Sequence, residues 1–118
     1  MKMRRGDTKK FKFVRQTKDK TTIMEKADEL YVTFKYGEED EALFQKSLDN
    51  GITFDENTGY YHVTINPEDT ENLPFVTLVY DIERTVDGEV LTPIVGELEI
   101  QKEVTYKNNK NIEEIQEV

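Results

Sequence analysis

The sequence predicts an all-β domain of about seven short strands. Apolar side chains recur at every second position over several short runs, and turn-forming residues separate these runs. The chain has 118 residues, the size of one domain, and is long enough to bury a core without the help of disulfides. It contains no cysteine. So many short strands favour two sheets packed face to face, or a barrel.

Each strand is predicted from an alternation that puts one apolar row inward and one polar row outward. The strands are expected at 7–16, 29–37, 42–48, 51–55, 60–66, 75–86 and 89–104. The predicted inward side chains are Phe11, Phe13, Leu30, Val32, Phe34, Tyr36, Tyr61, Val63, Ile65, Leu78, Tyr80, Ile82, Leu98 and Ile100.

The connections carry their own signals. Residues 86–89 read as a hairpin with a two-residue turn between the last two strands. Residues 67–73 begin with proline followed by acids, which predicts one helical turn crossing from one sheet to the other. Pro93 removes a ladder donor and Gly96 permits a bulge, so the last strand is expected to be irregular there.

Charge is divided unevenly along the chain. The net charge is −9, yet residues 1–20 contain nine Lys/Arg against only two Asp. The rest of the chain is therefore strongly acidic, which argues against a nucleic-acid-binding surface. The basic arm pairs either with the protein's own acidic face or with an acidic partner.

No motif indicates catalysis, a metal site or a cofactor. His62 is the only histidine, and the alternation makes it an outward surface residue without a nucleophile beside it. The acidic runs at 38–41, 55–57 and 68–69 lack the alternate spacing of a calcium-binding loop. The sequence therefore predicts a protein that is not an enzyme. A hydrolase that uses only carboxylates is a lower-ranked alternative.

Several segments carry a resemblance to a known family. They are RRGDT at 4–8, ADELYVTFK at 27–35, FQKSL at 44–48, GITFD at 51–55, GYYHVTI at 59–65, PEDTENL at 67–73, YDIE at 80–83 and VDG at 86–88. In these segments the chain resembles the N-terminal domain of baseplate upper proteins from phages and prophages of Gram-positive bacteria, and their short stand-alone relatives. The resemblance implies an immunoglobulin-like antiparallel β-sandwich that docks into a phage tail or baseplate. It does not extend to the coiled-coil or receptor-binding regions of longer members.

Two hypotheses for function follow. The first is a virion structural or accessory protein, made in the host cytoplasm, that binds other tail or baseplate proteins or further copies of itself. The basic group Arg4, Arg5, Lys9 and Lys10 would then meet the acidic turn Glu38, Glu39, Asp40 and Glu41 of a neighbour. The alternative is a carbohydrate- or cell-surface-binding module, with Tyr31 and Tyr60 lining a shallow groove.

The domain boundary is predicted where the alternation ends. One β-sandwich domain is expected over 1–106, followed by a tail at 107–118 that frays or forms a short helix. No apolar run approaches the roughly 20 residues that cross a bilayer, so no membrane partner is expected.

Overall fold

The computed structural model describes residues 1–102, which form a β-rich fold with one helical turn. The strands are β1 (Lys2–Arg4), β2 (Lys9–Val14), β3 (Glu29–Lys35), β4 (Ala42–Leu48), β5 (Gly51–Asp55), β6 (Tyr60–Ile65), β7 (Thr77–Val86) and β8 (Glu89–Gln101), and the helical turn is α1 (Pro67–Thr70). The predicted all-β class is confirmed. Every predicted strand and the helical turn have a counterpart, and only β1 was not predicted.

The eight strands form one hydrogen-bonded sheet in the order β1-β8-β7-β3-β4-β5-β6-β2. β1 is parallel to β8 and β4 is parallel to β5, whereas the other neighbours are antiparallel. Only two residue pairs, Ser47 with Gly51 and Leu48 with Ile52, join β4 to β5. The sheet is thus weakly connected at its middle, and its two outermost strands are β1 and β2.

The sheet curls over a shared interior. The rings of Phe11 on β2 and Tyr80 on β7 lie 6.2 Å apart, although β3, β4, β5 and β6 separate these strands in the sheet order. The buried apolar side chains are Met3, Ala27, Leu30, Val32, Phe34, Ile52, Tyr61, Val63, Ile65, Leu78, Ile82, Leu98 and Ile100. The period-two pattern therefore identified most of the core.

Tyr36 is a correction to the predicted core. Its side chain is 45% exposed, because β3 ends at Lys35 and Tyr36 already belongs to the turn that follows. Alternation predicts an inward position only while the backbone stays extended, so the pattern was carried one residue too far.

The β7–β8 hairpin has the predicted two-residue turn. Asp87 and Gly88 both adopt positive φ, 52° and 80°, as a tight hairpin turn of matching twist requires. The pairing then shifts between Ile82 and Arg84, so the irregularity lies opposite residues 92–93. Gly96 is not part of this irregularity, and its lack of a side chain makes room for a tyrosine. It pairs with Tyr80, and a Cβ there would lie 2.5 Å from the tyrosine Oη.

β1 is the strand that the sequence did not reveal. It has three residues, too few for an alternation to be recognised, and it runs parallel to the end of β8. Met3 is its one buried side chain, between exposed Lys2 and Arg4. The strand therefore joins the sheet through a single apolar anchor and its backbone hydrogen bonds.

α1 links β6 to β7 and is tied to two other parts of the chain. The Asp69 carboxylate accepts the backbone N–H of Asn66 at 2.7 Å and contacts the Lys46 ammonium of β4 at 2.6 Å. The hydroxyl of the fully buried Thr70 accepts the backbone N–H of Gly6 at 2.9 Å. These contacts fix the helical turn against β4 and the β1–β2 loop.

The predicted domain end at 106 and the tail at 107–118 lie outside the described residues. Within the described part of the chain, no helix has the length and apolar character needed to span a membrane.

Candidate interaction surfaces

Two members of the basic group, Arg4 and Arg5, already bind other parts of the same chain. The Arg4 guanidinium donates to the Lys102 carbonyl at 2.8 Å, and Lys10 is exposed on β2 while Lys9 is half-buried. Arg5 donates to the Leu73 carbonyl at 3.2 Å, and its guanidinium carbon lies 4.2 Å from the centre of the Phe75 ring. Arg5 thus helps to hold the β1–β2 loop against the segment after α1.

The acidic turn is fully exposed between β3 and β4. None of the four side chains Glu38, Glu39, Asp40 and Glu41 is even half-buried. The turn is closed by the backbone N–H of Asp40, which donates to the Gly37 carbonyl at 3.0 Å. Four adjacent carboxylates repel one another, so a cationic partner surface would relieve this repulsion.

The basic group and the acidic turn lie at the same end of the sheet. Arg4 pairs with Gln101 at the end of β8, and Lys35 pairs with Val79 near the start of β7. Since β7 and β8 are antiparallel, the start of one and the end of the other coincide. Among residues 1–102, no ion pair joins Lys9 or Lys10 to the acidic turn.

Tyr31 and Tyr60 are not brought together. Tyr31 is half-buried on β3 and Tyr60 is half-buried on β6, with β4 and β5 between them in the sheet. Lys12 covers Tyr60, with its Nζ 4.8 Å from the ring centre. Neither ring stacks on the other among the described residues, and β4 and β5 lie between their strands in the sheet order.

His62 lies on the outward face of β6, as the alternation predicts, and is exposed. Its charge also acts on Asp55, the last residue of β5. The backbone N–H of Asn57 and the hydroxyl of Thr58 hold the pKa of Asp55 below its ordinary value, and His62 contributes a smaller favourable charge. This arrangement stabilises the β5–β6 turn.

Among residues 1–102, no group of three or more His, Asp or Glu side chains could hold a metal ion.

An exposed apolar surface on β8 was missed by the sequence reasoning. Val90, Leu91, Ile94 and Val95 are 57%, 41%, 36% and 61% exposed. Val90 and Leu91 are adjacent, as are Ile94 and Val95, so each pair places one apolar side chain on each face of the strand. The break in alternation around Pro93 was the available signal. Clustered exposed apolar side chains of this kind mark interaction surfaces.

The sequence matches no family model and no curated protein.

Proposed function

We propose that the protein is a structural or accessory component of a phage tail or baseplate and acts there as a protein–protein assembly module. In this proposal the domain is an immunoglobulin-like sandwich, made in the bacterial host and incorporated into the virion. Its partners are other tail or baseplate proteins, or further copies of the chain.

The strand order supports the immunoglobulin-like sandwich. β8, β7, β3 and β4 are successive neighbours on one side of the weak β4–β5 link, and β5, β6 and β2 are neighbours on the other side. Immunoglobulin sandwiches have the same two groups of strands. In one sheet the last two strands lie beside the third strand. In the other sheet the second strand lies beside the strand from which the chain crosses between the sheets. The contact of Phe11 with Tyr80 across the interior agrees with two facing layers.

The assembly role depends on one observation, the exposed apolar side chains of β8. Val90 and Val95 are more than half exposed on a strand whose outer edge is unpaired over most of its length among residues 1–102. Isolated apolar residues on a surface are ordinary, but a run of them along a free strand edge favours association with another protein.

The charge distribution supports a contact between unlike surfaces. The acidic turn and Lys10, an exposed lysine of β2, lie at one end of the sheet, and no ion pair joins them among residues 1–102. Such surfaces steer encounters and select partners, while adding modestly to affinity.

The carbohydrate-binding alternative has less support. It needs Tyr31 and Tyr60 on one groove, whereas two strands lie between them.

The phage assignment is tested by mass spectrometry of purified virions from a lysate of the host bacterium. We expect the chain in the tail fraction at a fixed ratio to the tail proteins, and its gene among tail or baseplate genes. Absence from the particles, together with unrelated neighbouring genes, would overturn the proposal.

The charge mechanism is tested by sedimentation velocity at about 0.05 M and about 0.5 M salt, since screening at the higher concentration shortens the reach of surface charges to a few ångströms. We expect association of wild type that weakens in high salt and is reduced by Arg4→Glu or Lys10→Glu. Arg5 is left intact because it contacts Leu73 and Phe75. Lys18→Glu, in the exposed first connection, makes the same charge change elsewhere and is the control. Association that is indifferent to salt and to both substitutions would exclude this mechanism.

A further inference from the structure

A cleft opens between β2 and the β7–β8 hairpin, away from the charged end of the sheet. Its volume is about 240 Å³. Leu30 and Ile82, both buried, form its apolar base, and Phe13, Val14 and the partly exposed Ile94 form its sides. The cleft is therefore an apolar slot that reaches the core of the domain.

Two guanidinium groups line the same cleft. Arg15 is 7% exposed, and its Nε is buried without a hydrogen-bond partner, while one terminal nitrogen donates to the Glu25 carbonyl. Arg84, which is half-buried, lines the cleft as well. Within residues 1–102, neither arginine forms an ion pair. A buried donor without a partner is costly, so an entering anionic group would be stabilised here.

The edge of β2 beside the cleft is not paired by any strand among residues 1–102. β2 pairs only with β6 there, so the other edge of Lys9–Val14 presents backbone N–H and C=O groups to which no described strand is bonded. This edge contains no proline, whereas the free edge of β8 is interrupted at Pro93. β2 is therefore the better template for an added strand.

We propose that the cleft accepts an extended segment of a partner protein, which adds as a strand to the free edge of β2. The segment carries a carboxylate side chain that binds Arg15 and Arg84, and apolar side chains that pack on Phe13, Leu30 and Ile94. This inference rests on the assembly role proposed above and specifies the site and the chemistry of its partner.

A second copy of this chain is a poorer occupant than a different protein. Among residues 1–102, its longest unpaired strand edges are those of β8 and β2. Two β2 strands side by side would bring Lys9, Lys10 and Lys12 against like charges. β8 carries Pro93, which cannot donate to a ladder. A chain with alternating acidic and apolar residues suits both the lysines of β2 and the arginines of the cleft.

The test uses the full chain, labelled with ¹⁵N, and a blocked decapeptide that alternates valine with threonine and has one central glutamate. A twin peptide has glutamine at that position. We expect saturable shifts of β2 amides with the glutamate peptide up to about 1 mM, with affinity about tenfold weaker for the glutamine twin, as for loss of one charged hydrogen bond.

Variants separate the site from general charge effects. Arg84→Gln should abolish the preference for glutamate, and Ile94→Glu, at a partly exposed position, should prevent binding of the glutamate peptide. Arg4→Gln removes an equal charge from the other end of the sheet and should bind like wild type.

Three results would overturn the inference: no saturable shifts with either peptide, equal binding by the Arg84→Gln and wild-type chains, or a wild-type dimer that Ile94→Glu dissociates. The last result would identify a second copy as the occupant. Failure of peptide binding leaves the virion mass spectrometry unaffected, so this inference and the proposed function can fail separately.

Discussion

Among single residues, Asp55 shows how a turn can depend on pH. Hydrogen bonds from Asn57 and Thr58 to the carboxylate lower its pKa in the folded chain. The unfolded chain therefore binds this proton more tightly than the folded one. The contribution of Asp55 to stability is complete above about pH 4, the ordinary aspartate range, and is lost as the pH falls through the folded pKa.

We therefore expect Asp55→Asn to lower the free energy of unfolding at pH 7, and the difference from wild type to shrink in acid. The measurement is urea unfolding followed by circular dichroism at several pH values. Glu56→Gln removes the neighbouring exposed carboxyl and controls for net charge. A carbon-detected titration that gives Asp55 an ordinary or raised pKa would contradict the account.

Gly51 is a second residue with a specific requirement. Its φ is +96°, and a Cβ would lie 2.5 Å from Cδ of Lys46, the residue that pairs with Asp69. Gly51→Ala should therefore destabilise the protein by about 2–3 kcal/mol, the left-handed strain plus displacement of Lys46. Gly88 has a similar φ of +80° but open space around it, so Gly88→Ala should cost only about 1 kcal/mol. Equal losses in urea unfolding would show that the contact with Lys46 is unimportant.

At the scale of elements, the sequence predicts a strand correctly where the alternation of apolar and polar residues extends over several positions. β4 and β5 begin and end at the predicted residues, and the turn at Asp87 and Gly88 follows from residues that accept positive φ. β1 could not be read, because a three-residue strand shows no alternation and its partner, the end of β8, is about a hundred residues away in sequence. Long-range pairing of this kind depends on the whole fold.

The role of β1 gives a prediction at this scale. Met3 is 5% exposed and is the strand's only buried side chain, so Met3→Ala should cost about 2–3 kcal/mol. It should also reduce hydrogen-exchange protection of the Glu99 amide, which donates to the Met1 carbonyl. Lys2→Ala, at the exposed neighbouring position, is the control and should change neither quantity. Unchanged protection at Glu99 in Met3→Ala would mean that the strand does not depend on this anchor.

For the whole molecule, the sequence shows which residues carry charge, but it does not show which contacts these residues make in the folded protein. Arg5 is one of the expected contact residues, yet it also binds Leu73 and stacks on Phe75. The carbohydrate-binding alternative placed Tyr31 and Tyr60 on one groove, and two strands lie between theirs in the sheet order. The cleft at Arg15 and Arg84 joins residues far apart in sequence, so only the folded arrangement reveals it.

The free edges of the sheet also decide whether copies of the protein can pair strand to strand. The outer edge of β8 bears exposed Val90, Leu91, Ile94 and Val95, a combination that promotes edge-to-edge pairing. Pro93, in the middle of this stretch, has no N–H to donate and interrupts the edge. The proline thus opposes self-association while leaving the apolar side chains available to a partner.

Pro93→Thr should therefore convert β8 into a more regular edge and increase self-association. We expect larger species in sedimentation velocity at high protein concentration, with little loss of stability in urea unfolding. Pro74→Thr, in the exposed loop before β7, makes the same chemical change away from any strand and should remain like wild type. High salt should not reverse the effect, because backbone pairing and apolar contact drive it and surface charge does not. A Pro93→Thr chain that sediments like wild type would show that the geometry of the free edge prevents edge-to-edge pairing, and that the missing donor does not.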